Sequence, residues 1–336
     1  DQALAGQFLR GQSKAVRIID DQVAGLRRDP ETGEIRALQM EGGQQVEGDF
    51  FVDCSGFRRR LISEMGAGWQ SYRDVLPVNR AMPFWLDIAE GEEIAPVTLA
   101  WAQKSGWLWK IPTQGRYGCG YVYSDVHCTP DQAKAEIEAA LGHAIEPRND
   151  IKIDAGRLDR GWIQNCVALG LSSSFLEPLE ATSIHGTIVQ MILFGQRFLK
   201  RPSAMTPADR DDYNMRVGRQ VDDFRTFVNT HYLVERDDTP FWREVRANRI
   251  HPETKERMAR WQKEMPRVEH FPNYLEGLPH IETQLHYPVL AGLGLLSQDL
   301  ARAEMARDPK LRQFARETYE SLVKEYREAA GKAMSH

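Results

Sequence analysis

Long apolar runs are absent from the 336-residue sequence, and no stretch approaches the length of a membrane-spanning helix. Basic residues form no extended block, and the net charge is −5, so nothing indicates a nucleic-acid-binding protein. Only four cysteines occur, without a C-x-x-C motif, which argues against a zinc site or a disulfide framework. We therefore predict a cytoplasmic protein that binds neither membranes nor nucleic acid.

The dinucleotide-binding motif G-x-G-x-x-G is also absent. Gly292-Leu-Gly294-Leu-Leu-Ser297 has a similar spacing, but serine stands where the third glycine belongs, and Pro288 makes the preceding residues a poor strand. This run is more typical of a close contact between helices. The chain begins with Asp1, without a methionine or a signal-peptide pattern, so we expect it to be part of a longer protein.

The length and the ordinary apolar fraction are sufficient for two domains with a sizeable core. Alternating apolar residues predict a β-rich region, with strands at 81–88, 97–103, 106–112 and 117–123. Proline at the first helical position and apolar periodicity predict helices at 130–141, 206–232 and 309–333. We predict an α+β or α/β fold, with mixed sheets in a domain of residues 1–200 and a mostly helical domain of residues 201–336.

The most informative stretch is N-C-V-A-L-G-L-S-S-S-F-L-E-P-L-E-A-T-S-I-H, residues 165–185. Its apolar start predicts a short buried strand, and Ile184 begins an apolar segment of helical length. Thr182 or Ser183 therefore stands where a helix N-cap belongs, and the unpaired N–H groups there attract anions. Glu180 lies two residues before this anion site. An ordinary capped helix with a solvent-facing glutamate explains the same pattern, because most capped helices bind nothing.

Two further patterns leave alternatives open. Trp107 and Trp109 stand two residues apart on a predicted strand, so their side chains point to the same side. Two coplanar indoles there form either a core layer or one wall of an aromatic pocket. Upstream, a predicted strand ends in Asp53-Cys-Ser-Gly56, where glycine allows the backbone to approach a nucleotide cofactor. A strand followed by a tight turn explains that second pattern equally well.

The segment Phe175-Leu-Glu-Pro-Leu-Glu-Ala-Thr-Ser-Ile184 resembles the F-x-E-P-L-E-[S/A]-T-x-I signature of the flavin-dependent halogenases, in their tryptophan-halogenase-like group. Trp107-Leu-Trp-Lys-Ile-Pro112 matches a second motif of this family, W-x-W-x-I-P. Phe51-Val-Asp-Cys-Ser-Gly-Phe-Arg58 resembles the strand and turn that approach the flavin, and residues 231–242 give a weaker match. Together the matches cover the chain from about residue 45 to about residue 300.

The resemblance implies FAD-dependent halogenation of an electron-rich aromatic substrate, such as an indole or a tryptophan-like compound. Reduced FAD, supplied by a separate flavin reductase, reacts with oxygen to give a flavin hydroperoxide, and chloride or bromide attacks it to form hypohalous acid. This oxidant then reaches a second chamber that holds the substrate. The family also implies a partial flavin-monooxygenase-like domain followed by a helical substrate region, and it is compatible with a homodimer.

The resemblance assigns roles to individual residues as expectations. Glu180 is the catalytic carboxylate, which stabilises the cationic intermediate and takes the proton from the aromatic ring. Thr182 and Ser183 bind the halide. The residues expected at the flavin are Leu171, Ile184, Asp53 and Gly56, and those expected in the substrate pocket are Trp107, Trp109, Ile111, Pro112 and Glu180.

Two neighbouring residues have alternative roles. Glu177 stands before proline and is expected to serve structure, while His185 is the first alternative to Glu180 as the base. The tyrosine-rich segment with which tryptophan halogenases hold the amino-acid part of the substrate has no obvious equivalent here. An indole, another aromatic metabolite or a peptide-borne indole therefore fits as well as free tryptophan.

Two features that the family carries near its amino terminus do not map onto this sequence: the G-x-G-x-x-G fingerprint and a lysine that carries or orients the halogenating species. We therefore expect that an N-terminal flavin-binding segment is missing and that this chain alone is inactive. A flavin monooxygenase of related fold, which inserts oxygen, and an inactive binding fragment are the two alternatives to a halogenase.

Overall fold

The structure, a computed structural model, describes residues 2–199, 205–275 and 277–332. The strands β1 to β14 span Val23–Arg28, Ile35–Met40, Gln45–Glu47, Phe51–Asp53, Trp69–Ser71, Arg80–Asp87, Leu99–Ala102, Gly106–Pro112, Arg116–Tyr123, Ile151–Lys152, Gly156–Leu158, Trp162–Ile163, Cys166–Ala168 and Ser174–Phe175. The helices α1 to α9 span Gln2–Gln12, Pro130–Leu141, Thr182–Phe194, Pro207–His231, Pro240–Asn248, Pro252–Trp261, Thr283–Gly292, Gln298–Arg307 and Pro309–Lys332. Past β14, the described residues form helices and turns without strands.

The strands form four sheets within the described ranges. The largest is antiparallel, with the order β10-β6-β9-β8-β7, and the predicted strands β8 and β9 pair within it as a hairpin. Two three-stranded sheets have the orders β1-β2-β3 and β14-β11-β5. In the fourth, β12-β13-β4, strand β13 pairs in parallel with β4 and so brings residues 166–168 beside residues 51–53.

The five-stranded sheet has a buried layer on each face, because side chains alternate along its strands. Leu108 and Tyr121 face α2 and pack with Ala133 and Ile137 of that helix. Trp107 lies on the opposite face, in the largest apolar cluster of the described residues, which joins this sheet to α4, α5, α6 and α7. The sheet thereby fixes where the helical part meets the W-x-W-x-I-P motif.

The helix starts follow local sequence signals. Thr129 caps α2 through a reciprocal pair of hydrogen bonds with Gln132, and Thr206 caps α4 in the same way with Asp209. Proline follows each cap at the first helical position, where its missing N–H costs nothing. The predicted helices at 130–141 and 206–232 are thus confirmed to within a residue or two.

The fold class is confirmed: mixed sheets precede a mostly helical region. The predicted domain boundary at residue 200 falls at residues 200–204, outside the described ranges, and stays a prediction. The predicted close helix contact at Gly292 is wrong, since no atom from another described part of the chain lies within 4 Å of where a Cβ would stand. The last helix, α9, has its predicted length, but its apolar face is not buried, and Phe314 and Tyr326 are exposed.

Candidate active site

The candidate site is built on the segment that follows β13. A 3-10 turn at Pro178–Glu180 leads into α3, and Ala181 between them has the left-handed φ of 50°. Ala181 occupies the N-cap position without a capping side chain. The prediction that Thr182 or Ser183 caps this helix is therefore wrong, because both already belong to its first turn. The backbone N–H groups of that turn consequently have no side-chain acceptor.

A small cavity lies against the start of α3. Its volume is about 20 Å³, enough for about one water molecule, and Thr182, Ser183, Gln190 and Gln220 contribute to its lining. Among the described residues, Gln190 Oε1 and both amide atoms of Gln220 are buried and have no hydrogen-bond partner. The unsatisfied amide groups of these two glutamines thus lie in the same cavity as the uncapped start of the helix.

Glu180 is exposed at the end of the 3-10 turn, and its Oε1 lies 2.7 Å from Nε2 of His231, at the end of α4. The other ring nitrogen of His231, Nδ1, lies 3.1 Å from the carbonyl oxygen of Phe227, to which it can only donate. Nδ1 therefore carries a hydrogen, and Nε2 is the ring nitrogen that faces the carboxylate at hydrogen-bond distance. The pair can accept and release one proton, as general acid–base chemistry requires.

Glu177 is completely buried, unlike Glu180. Its Oε2 accepts hydrogen bonds from Nε1 of Trp107 at 2.8 Å and from the hydroxyl of Tyr232 at 2.6 Å. Burial raises the pKa of this carboxyl group to about 7, although the hydrogen bonds from Tyr232 and Trp107 act in the opposite direction. His185, the alternative base, is exposed and packs its ring edge-on against Phe224 at 5.7 Å.

The two tryptophans lie on the same face of β8, as predicted, with ring centroids 6.3 Å apart. The expected coplanar arrangement is wrong, because their ring planes meet at 59°. Trp107 is only 4% exposed, so it belongs to the core and does not form the accessible surface of a pocket wall. Trp109 is partly buried, while Ile111 is exposed and Pro112 partly exposed at the end of the strand. Their role in a substrate pocket stays a prediction.

Upstream in the sequence, Asp53 ends β4 beside Ala168 of β13. Its carboxylate is buried and accepts hydrogen bonds from the backbone N–H groups of Leu61 and Ile62 and from Ser55. Burial alone would raise the pKa of Asp53, but these bonds keep it below its ordinary value. The side chain predicted to touch the cofactor is therefore already occupied by the protein.

An apolar hollow of about 520 Å³ lies next to this strand end. Gly56, with φ of +70°, and Leu171 line it, as does Met191, which is 54% exposed. Ile184 is 65% exposed and lies two helical turns before Met191 on α3, so the two share one face. A second hollow of about 740 Å³ adjoins the first at Val52 and contains Arg58 and Arg60.

The sequence indicated no role for His231, Tyr232, Gln220 or the arginines of the second hollow, although His231, Tyr232 and Arg58 lie in or beside the family motifs. The run Arg58-Arg59-Arg60 after the Asp53 turn is the one local signal that points to a cationic surface. Across the described ranges, no helix is long and apolar enough to span a membrane, and no three His, Cys, Asp or Glu side chains form a metal-binding group.

The sequence model of the tryptophan halogenase family matches residues 1–309. Tryptophan 6-halogenase SttH from Streptomyces toxytricini is 34% identical, over 96% of this chain and 64% of its own length. Tryptophan 7-halogenase RebH from Lentzea aerocolonigenes is 33% identical, over 95% of this chain and 63% of its own length. The solved structure of BrvH, a flavin-dependent halogenase from Brevundimonas sp. BAL3, superposes with a TM-score of 0.84 at 33% identity and covers 95% of this chain and 64% of its own.

The chain thus spans somewhat less than two thirds of the length of these relatives. The match nevertheless covers nearly all of the sheets and helices described above, including the turn with Glu180 and the strand with Trp107. The chain belongs to the tryptophan halogenase family.

Proposed function

We propose that the protein is an FAD-dependent halogenase that acts on an electron-rich aromatic substrate, an indole or a tryptophan-like compound. The observation that carries the proposal is the position of Glu180. Its Oε1 lies 2.7 Å from Nε2 of His231, and Glu180 stands two residues before the uncapped start of α3. An acid–base group and an anion site thus occupy one turn, and family membership favours an enzyme over an inactive fragment.

The halide, chloride or bromide, is bound in this proposal by the backbone N–H groups of Thr182 and Ser183. Two features support it. The left-handed Ala181 leaves those groups without a capping side chain, and the helix adds a partial positive charge at its N-terminus.

The cofactor site is proposed at the apolar hollow beside Gly56. Leu171, Met191 and the adjoining Ile184 offer accessible apolar surface of the kind that suits a flavin ring. The guanidinium of Arg58 suits a phosphate group of FAD, whereas that of Arg60 is already bonded to the carbonyls of Val23 and Ala24 and to Glu64. When bound, the reduced flavin supplies, together with oxygen, the oxidising power that turns halide into an electrophilic halogen.

Proton transfer is the task of Glu180 and His231. Attack by an electrophilic halogen makes the aromatic ring cationic, and a nearby carboxylate stabilises that charge and removes the ring proton. His231 then relieves Glu180 of the proton through Nε2, because Nδ1 stays bound to the carbonyl of Phe227. Trp109 and Trp107 form the wall that keeps the substrate apart from the flavin.

The proposed partners follow from the family. SttH is named a tryptophan 6-halogenase and RebH a tryptophan 7-halogenase, so an indole ring is the substrate group that we propose here. A separate flavin reductase supplies reduced FAD, and the four free cysteines support a reducing, cytoplasmic setting. A homodimer is compatible with this function and is not required by it.

Replacement of Glu180 by glutamine tests the proposal. With FAD, a flavin reductase, bromide and indole present, we expect Glu180→Gln to form hypohalous acid at the wild-type rate, measured with a 1,3-diketone trap. We expect indole bromination to fall by ~10²–10⁴, the loss typical of a missing acid–base group. The matched control is Glu93→Gln on an exposed loop, which should change neither rate. Unchanged bromination by Glu180→Gln would contradict the assigned role.

A further inference from the structure

Glu177 takes no part in the proposed chemistry, yet it is the most deeply buried carboxyl group of the site. Oε2 receives both of its hydrogen bonds, and Oε1 has no partner within the described part of the chain. Burial of an incompletely paired carboxyl group costs free energy, and an apolar side chain of similar volume would avoid that cost. Such a group is best explained if its hydrogen bonds hold the neighbouring backbone in place, which an apolar side chain could not do.

The geometry in question is that of the turn Pro178–Glu180. Glu177 precedes Glu180 by three residues, and their partners, Tyr232 and His231, are neighbours at the end of α4. The turn is therefore joined to α4 by two parallel side-chain bridges, one at each end. The bond to Trp107 ties the same carboxyl group to β8. Tyr232 and Trp107 are both nearly inaccessible to solvent, so the anchor points are rigid.

We propose that Glu177 is a positioning residue: by binding Trp107 and Tyr232 it holds Glu180 and the first turn of α3 in a fixed relation to the tryptophan wall. This inference rests on the proposed function. Glu177 touches no reacting atom and acts only through the turn that it anchors. The anchoring by Glu177 therefore affects the transfer of halogen to the ring specifically, because a displaced Glu180 cannot take the ring proton.

The neutral acid suits this role better than the carboxylate. When neutral, Oε2 accepts both hydrogen bonds and Oε1 carries the proton, so no net charge is buried. The titratable groups that act on Glu177 are Tyr232 and His231 of α4, whereas β8 contributes only the indole of Trp107, which does not titrate. Ionisation buries a negative charge that both carboxylate oxygens share, while only Oε2 has hydrogen-bond donors, and we expect the turn to loosen and admit water to Oε1.

A first experiment observes the anchor without cofactor or substrate. The indole N–H signal of Trp107 is followed by nuclear magnetic resonance against pH in tryptophan-labelled protein, and its absence in Trp107→Phe assigns it. We expect the signal to move with pH in the wild type and to stay constant in Glu177→Gln, which retains an acceptor oxygen but cannot ionise. A Trp107 signal that keeps its wild-type position when Glu177→Leu removes the acceptor would overturn the proposal.

A second experiment separates positioning from folding. Glu177→Leu removes both hydrogen bonds at similar volume, and Glu177→Gln is the conservative rescue. With indole and bromide, we expect Glu177→Leu to oxidise bromide normally but to brominate indole ~10²-fold more slowly, as for a catalytic group displaced by roughly 1 Å. Glu177→Gln should keep the wild-type rate. Should Glu177→Leu not fold, Tyr232→Phe, which removes one of the two bonds, replaces it with a smaller expected loss.

The outcomes are distinguishable. Normal bromination by Glu177→Leu, or equal loss in Glu177→Leu and Glu177→Gln, overturns the positioning role. If the wild type forms no halogenated product, the proposed function fails, and the response of the Trp107 signal to Glu177→Leu still decides whether Glu177 anchors the indole.

Discussion

The replacement Glu177→Gln makes a quantitative prediction about how stability depends on pH. Burial raises the pKa of Glu177 from 4.5 to about 7, so the folded state holds this proton more tightly than the unfolded state. The resulting stabilisation is complete below pH 4.5 and is lost as the pH rises through about 7. At ~1.4 kcal/mol per pKa unit, the wild type should lose about 2 kcal/mol relative to Glu177→Gln between about pH 5.5 and about pH 8.5.

Urea unfolding followed by circular dichroism, at several pH values, measures this difference directly. Other buried groups titrate as well: burial raises the pKa of Asp223 to about 6 and lowers that of His286 to about 4. Both are unchanged in Glu177→Gln, so they cancel when the two proteins are compared at each pH. Parallel stability curves would refute the view that Glu177 is protonated in the fold near neutral pH.

Two backbone positions give further predictions. Gly120→Ala places a Cβ about 2.0 Å from the ring of Trp109, so we expect a loss of ~1–3 kcal/mol in the free energy of unfolding and weaker indole binding by calorimetry. Gly118→Ala, whose Cβ meets nothing nearer than 4.0 Å, is the control, and an equal effect there would exclude the ring contact as the cause. Ala181→Gly relieves a left-handed φ of 50° and should not lower the melting temperature. As the control, Ala135→Gly in α2 should lower the free energy of unfolding by about 1 kcal/mol. An equal loss in Ala181→Gly would show that Ala181 is not strained.

Local patterns predicted the elements that depend on neighbours in sequence. Strand β8 was predicted with its observed bounds, Gly106–Pro112, and α4 begins after the predicted cap Thr206. Period-two alternation and capping residues act within a few positions, so a single sequence contains the information. The same rules failed at Ala181. The 3-10 turn before α3 forces a left-handed residue into the N-cap position, where sequence preference would put threonine or serine.

Contacts between distant segments could not be predicted. The motif indicated Glu180, but nothing in the sequence connects it to His231, 51 positions later. Alternation placed Trp107 and Trp109 on one face of β8, yet what covers that face depends on α4 and α5. Burial of Trp107 and its bond to Glu177 therefore required the tertiary structure. The parallel pairing of β4 with β13 has the same cause, because it joins segments more than a hundred residues apart.

The mass spectrum of the product tests the central claim most directly. The protein is supplied with reduced FAD, oxygen, bromide and indole. We predict a product with the paired isotope peaks of bromine, formed by the wild type and strongly diminished with Glu180→Gln. A hydroxylated product without bromine would contradict the halogenase function and would favour a flavin monooxygenase instead.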